Sequence, residues 1–169
     1  MLQKTIQETK DIFEKQFNKN LFDVIFVKDK KTFELTNLEY FITPTKEDVA
    51  NLVPAPLEEE YVERDFVILS SLKIRENIEK DKFARDAVFV NNYDGSDRHC
   101  ISYLQYYIRD NMLSMNVYAR SMNFDTNFIF DNQTFVLAYF KTYNSLKPFF
   151  PEIEIGYIKV NVFSLHKIV

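Results

Sequence analysis

Residues 99–109 alternate in polarity, stop at Asp110-Asn111, and alternate again over 113–121. A period of two is the strand period, and an Asp-Asn pair between two such runs is turn chemistry, so the stretch predicts a β-hairpin. Shortly after it, Thr126 or Asn127 offers a helix cap, and Phe130, Phe135, Val136, Tyr139, Phe140 and Tyr143 make the next helix largely apolar. A helix that apolar is buried. A hairpin running straight into a buried helix needs a sheet face for that helix to cover, which restricts the chain to a layered fold.

The remaining segments read as elements around that unit. Leu2, Ile6, Phe13 and Phe17 share roughly one helical face, predicting an amphipathic helix over 2–18. The β-branched and aromatic run 22–27 predicts a strand, 28–31 a charged turn, and 33–41 a second strand, together a hairpin. Thr45 with Asp48 three residues later is a helix-start signal, and Pro54 and Pro56 stop the short helix that follows. Residues 57–72 fit either helix or strand, with helix preferred, and the charged run 73–82 predicts a solvated helix or loop. Residues 87–90 predict a strand, Asp94-Gly95-Ser96-Asp97 a turn, and 153–162 a final strand leading to His166. The expected fold class is α+β, one domain over 1–169, with a mostly antiparallel or mixed sheet packed against a long apolar central helix.

Composition removes several function classes. Gly95 and Gly156 are the only glycines, so no Gly-rich phosphate loop exists. A formal charge of −4 argues against direct nucleic-acid binding, which needs a basic surface. The single cysteine precludes an internal disulfide, and no Cys/His cluster has metal spacing. The N-terminus shows no signal peptide and no apolar run is long enough to span a membrane, so a cytoplasmic location is expected.

The chemistry-bearing side chains concentrate between Arg98 and Asp131. Cys100 has two readings, a small buried hydrophobe or a nucleophile that needs a nearby cation to hold its thiolate. His99 would face away from it on a regular strand, whereas Arg120 lies on the adjoining strand. Arg120-Ser121 offers a forked guanidinium and a hydroxyl for a phosphate, or a surface ion pair. Asp131 and Asn132 are either first-turn helix residues or readers of a base edge, and His166 alone reads first as structural.

In these residues the chain resembles the thymidylate synthase and deoxycytidylate hydroxymethylase superfamily. That family carries a catalytic Cys, a Gln-aromatic-Tyr strand, a hairpin, a Tyr-x-Arg-Ser-x-Asp motif and, after an ungapped spacing, an Asn or Asp that reads the pyrimidine. Here the matching residues are Cys100, Gln105-Tyr106-Tyr107, Tyr118-Ala119-Arg120-Ser121-Met122-Asn123 and Asp131. Gly156 and His166 keep a family spacing, and Ala84-Arg85-Asp86 resembles a Ser-Arg-Arg segment. The resemblance covers about 84–168; residues 1–83 do not align.

The resemblance implies that Cys100 attacks C6 of a pyrimidine deoxynucleoside monophosphate and activates C5 for a folate one-carbon unit. Arg120 and Ser121 would bind the 5′-phosphate, Arg85 would reach the phosphate of the partner subunit in a homodimer formed through the sheet, and His166 would touch the deoxyribose. Gln105 would orient the substrate. Asp131, in place of Asn, implies dCMP hydroxymethylation before thymidylate synthesis, an activity typical of viruses that modify their DNA. The implied donor is 5,10-methylenetetrahydrofolate. The chain departs from the pattern at Asn123, where the family has a folate-contacting Asp, at Asp86 for the second Arg, at Ile168 for a sugar-binding Tyr, and at Val169, short of the folate-closing segment. Two classes of function therefore follow: a compact C5-transferase, or a degenerate relative that binds nucleotides or proteins without turnover.

Overall fold

The computed structural model describes residues 5–19, 22–27, 30–50, 57–91 and 100–169. Among them are four helices and six strands, in the order α1 (Ile6–Asn18), β1 (Asp23–Val27), β2 (Lys30–Ile42), α2 (Lys46–Ala50), α3 (Leu57–Lys80), β3 (Val88–Val90), β4 (Ile101–Arg109), β5 (Met112–Asn123), α4 (Phe128–Leu146) and β6 (Glu154–Ile168). Thr5 caps α1 reciprocally with Glu8, and Thr45 and Asp48 exchange the equivalent bonds at α2, as the sequence signal there predicts. The expected turn at 94–97, together with Arg98, His99 and the prolines at 54 and 56, lies outside the described residues.

The strands form one sheet in the order β1-β2-β6-β5-β4-β3. It is mixed: β5 and β6 run parallel and the other neighbours antiparallel. The parallel pair follows from α4, which carries the chain from the end of β5 back to the start of β6. Cross-strand neighbours share a face. One row, Tyr40, Val160, Val117, Leu104 and Phe89, faces the helices; Phe13 of α1 meets Tyr40 edge-on and Phe66 of α3 meets Phe89. The next row, Glu39, Asn161, Tyr118, Tyr103 and Val90, faces the other way, where no described element covers the sheet.

α3 resolves two sequence ambiguities at once. It is a single helix of 24 residues, so 57–72 is not a strand. Its second half is not simply solvated: Phe66, Ser70, Ile74 and Ile78 recur every fourth residue and are all buried. α4 buries Phe128, Asn132, Phe135, Val136, Ala138 and Tyr139 between α3 and the sheet. Its Tyr139 hydroxyl donates to Leu113 O at 2.6 Å and accepts from Gly156 N at 2.9 Å.

Candidate functional site

The strict alternation of the central strands slips at one level shared by three neighbours. Leu38, Val162 and Ala119 form one row toward the helices, and Leu35, Leu165 and Met122 form the next. An unbroken pleat places one outward residue between consecutive inward ones, but here two intervene on every strand. They are Thr36 and Asn37 on β2, Phe163 and Ser164 on β6, and Arg120 and Ser121 on β5. Asn37 carries the irregularity in its backbone, with φ of 54°, a region an Asn tolerates.

This slip brings polar side chains to the uncovered face. Thr36, Ser164 and Ser121 make one row, and Glu34, His166 and Asn123 make the adjacent one. Cys100, just before β4, joins them: the Ser121 hydroxyl donates to its Sγ at 3.2 Å, and Arg120 N–H donates to its carbonyl at 2.8 Å. The Ser164 hydroxyl donates to the Glu34 carboxylate. Burial holds the His166 imidazole below its ordinary pKa, against the opposing charge of Glu34 and a backbone hydrogen bond at Ser164. Cys100, Ser121, Asn123 and His166, distant in sequence, are thus collected by strand register.

Arg120 is exposed and lines a groove of about 430 Å³ on the same face, with Asn37, Glu39, Tyr103, Tyr118, Asn161 and Phe163 among its walls. Tyr103 and Tyr118 stack there with centroids 4.1 Å apart, Glu39 pairs with Lys159 at 2.6 Å, and Phe163 is 63% exposed. The groove therefore offers an aromatic floor and a guanidinium beside the Cys100 cluster.

The other sequence-selected residues stand elsewhere. Gln105 belongs to the row of Phe41, Lys159, Asn116 and Val88, and its amide donates to Arg85 O at 2.9 Å. Arg85 is exposed before β3. Asp131 sits in the first turn of α4, in the helical layer, and its charge acts on the buried Tyr40. Its neighbour Asn132 is a satisfied core residue: it accepts from Tyr40 at 2.9 Å and donates to Phe128 O at 2.7 Å. Glu34 and Thr36 were not singled out in the sequence; an acidic residue on a strand carries no signal until the partner strand is known.

Asn123 tests the fit to folate. Its carboxamide oxygen accepts from Asp125 N at 3.0 Å and Thr126 N at 3.1 Å, closing the turn that starts α4. That oxygen is engaged by the backbone of its own turn, so Asn123 as placed does not fit the folate-contacting role of the family's Asp. Among the described residues no group of three or more His, Cys, Asp or Glu is placed to hold a metal ion, and no helix is long and apolar enough to cross a membrane. No family model and no curated protein matches the chain.

Proposed function

We propose that this chain binds a pyrimidine deoxynucleoside monophosphate, dCMP before dUMP, and activates C5 of the ring through Cys100, as a compact relative of the thymidylate synthase and deoxycytidylate hydroxymethylase superfamily. The observation that carries the reading is the Cys100–Ser121 contact, with Asn123 and His166 on the adjoining row and Arg120 at the rim. The Cys100 sulfur adds to C6 and the C5–C6 electron pair moves toward C5, which becomes nucleophilic. C5 takes up an electrophile or a solvent proton, the original C5 hydrogen leaves as a proton, and expulsion of the sulfur restores the ring. Arg120 binds the phosphate as a fork. The preference for cytosine is what the resemblance implies for Asp131, whose carboxyl would complement N3 and the amino group when it carries a proton; Asp131 stands in the first turn of α4, in the helical layer, and an unchanged dCMP preference in Asp131→Asn would remove it as the base reader. In the family reaction the electrophile is a methylene group from 5,10-methylenetetrahydrofolate; the activity proposed for these residues ends at C5 activation.

A second reading is a nucleotide-binding or protein-interaction module without turnover, and the use of Asn123 by its own turn favours it. Exchange of the C5 hydrogen of dCMP in deuterated water, followed by NMR, separates the two. The transferase reading expects exchange that Cys100→Ser lowers by about 100-fold or more. Stabilisation by dCMP without exchange supports the module, and no stabilisation by any pyrimidine nucleotide refutes both.

A further inference from the structure

We propose that Glu34 is a positioning residue of this site, holding the Ser164 hydroxyl and standing opposite His166 so that the three present one fixed edge to the sugar hydroxyl of the nucleotide. The inference rests on the nucleotide reading above. Glu34 and His166 are direct partners in the β2–β6 ladder, and Ser164 lies one row along on the same face. Side chains so paired stand with Cβ atoms about 4.5–5.5 Å apart. The carboxylate is half-buried and already accepts the Ser164 proton.

The direction of the hydroxyls defines what this edge takes. Ser121 and Ser164 are neighbours in the parallel β5–β6 ladder, about 4.8 Å apart. Ser121 donates to Cys100 and Ser164 donates to Glu34, so the two protons point away from each other. Each oxygen keeps lone pairs, and the Glu34 carboxylate adds more. An edge rich in acceptors suits a hydroxyl and repels a phosphate. The phosphate therefore belongs at Arg120, across the slipped rows, and the sugar hydroxyl at Glu34. A notch of about 290 Å³ lined by Phe22, Asp23, Glu34, Leu35, Thr36 and Leu38 opens beside the carboxylate.

Glu34 also sets the electrostatics of His166. Its carboxylate is the charge that acts on the ring, against the larger effect of burial; the β5 neighbour Asn123 is uncharged, and Lys167 is engaged with Asp125 at 3.5 Å. Its negative charge favours the imidazolium against burial.

The test is a cycle of two nucleotides and two proteins. Binding of dCMP and of its 3′-deoxy analogue is measured by calorimetry on the wild-type chain and on Glu34→Gln, and the His166 ring is titrated by NMR. The expected result is about a 10-fold loss of dCMP affinity in Glu34→Gln, little change for the 3′-deoxy analogue, and a lower His166 midpoint. Ser164→Ala is expected to repeat the hydroxyl-selective loss, and serves where Glu34→Gln folds poorly. Equal losses for both nucleotides, or an unmoved His166 midpoint, overturn the role of Glu34 and leave the nucleotide reading standing. Failure of the wild-type chain to bind either nucleotide overturns that reading, and this inference with it.

Discussion

Tyr139 shows how a single side chain stitches the sheet to its helical layer. Between Leu113–Ile155 and Met115–Ile158 the register of β5 against β6 shifts by one, so β6 carries an extra residue there. The Tyr139 hydroxyl fills the gap, donating to Leu113 O and accepting from Gly156 N. Burial pushes its phenol well above the ordinary value, so it stays a neutral donor. Tyr139→Phe strands a buried carbonyl and a buried N–H and is expected to cost about 1–3 kcal/mol, read as a lower urea midpoint at unchanged slope. Gly156 is required at the same spot for space: a Cβ there would lie 2.5 Å from Ser114 Oγ and closer still to Leu113 O. In the sequence Gly156 was only a spacing marker for His166. Its packing reason is invisible without Leu113, Ser114 and Tyr139 beside it.

At the scale of elements, the β4–β5 hairpin is the part the sequence predicts best. Arg109 pairs with Met112, and Asp110 and Asn111 close the loop with φ of 50° and 60°. Two left-handed residues match the twist of the flanking strands, and Asp and Asn adopt that region at low cost. Asn111 also accepts from Lys82 Nζ at 2.9 Å, tying the hairpin to the segment after α3. Asn111→Val, which is β-branched and has no acceptor, is expected to cost about 1–3 kcal/mol, and a thermal unfolding scan checks it. α3 was harder to read because Glu, Lys and Arg crowd its buried stripe. The i, i+4 spacing of Phe66, Ser70, Ile74 and Ile78 is present in the sequence, but a serine in the stripe hides it.

Among the described residues the helices cover one face of the sheet, and this asymmetry bears on how the molecule responds to pH. His166 lies on the uncovered side yet is sheltered enough that its folded pKa falls below the ordinary 6.5. The unfolded chain then binds the proton more readily than the folded one, so this group's contribution is full above about pH 6.5 and is lost as pH falls through that value toward the folded pKa. Stability measured by urea unfolding is expected to decline from about pH 7.5 to 5.5, and His166→Gln to flatten that decline. An unchanged slope in the variant would place the titration at other groups.

The sequence alone determined the local elements: a period of two over 99–121, turn residues at Asp110 and Asn111, a cap at Thr45, and an apolar helix able to bury one side. Residue type alone drew attention to Cys100 and the Arg120-Ser121 pair, and the resemblance to a known family added Asn123 and a role for His166. Those signals are local because dihedral preference, capping and alternation act within a few residues. Only the tertiary structure decided which of them meet. The strand order β2-β6-β5-β4 joins residues more than a hundred positions apart, and the slip at Asn37, Arg120 and Phe163 turns a polar row outward. It also brought Glu34 to His166 and left Asp131 in the helical layer. Such placements follow from strand register and packing, which no single segment encodes.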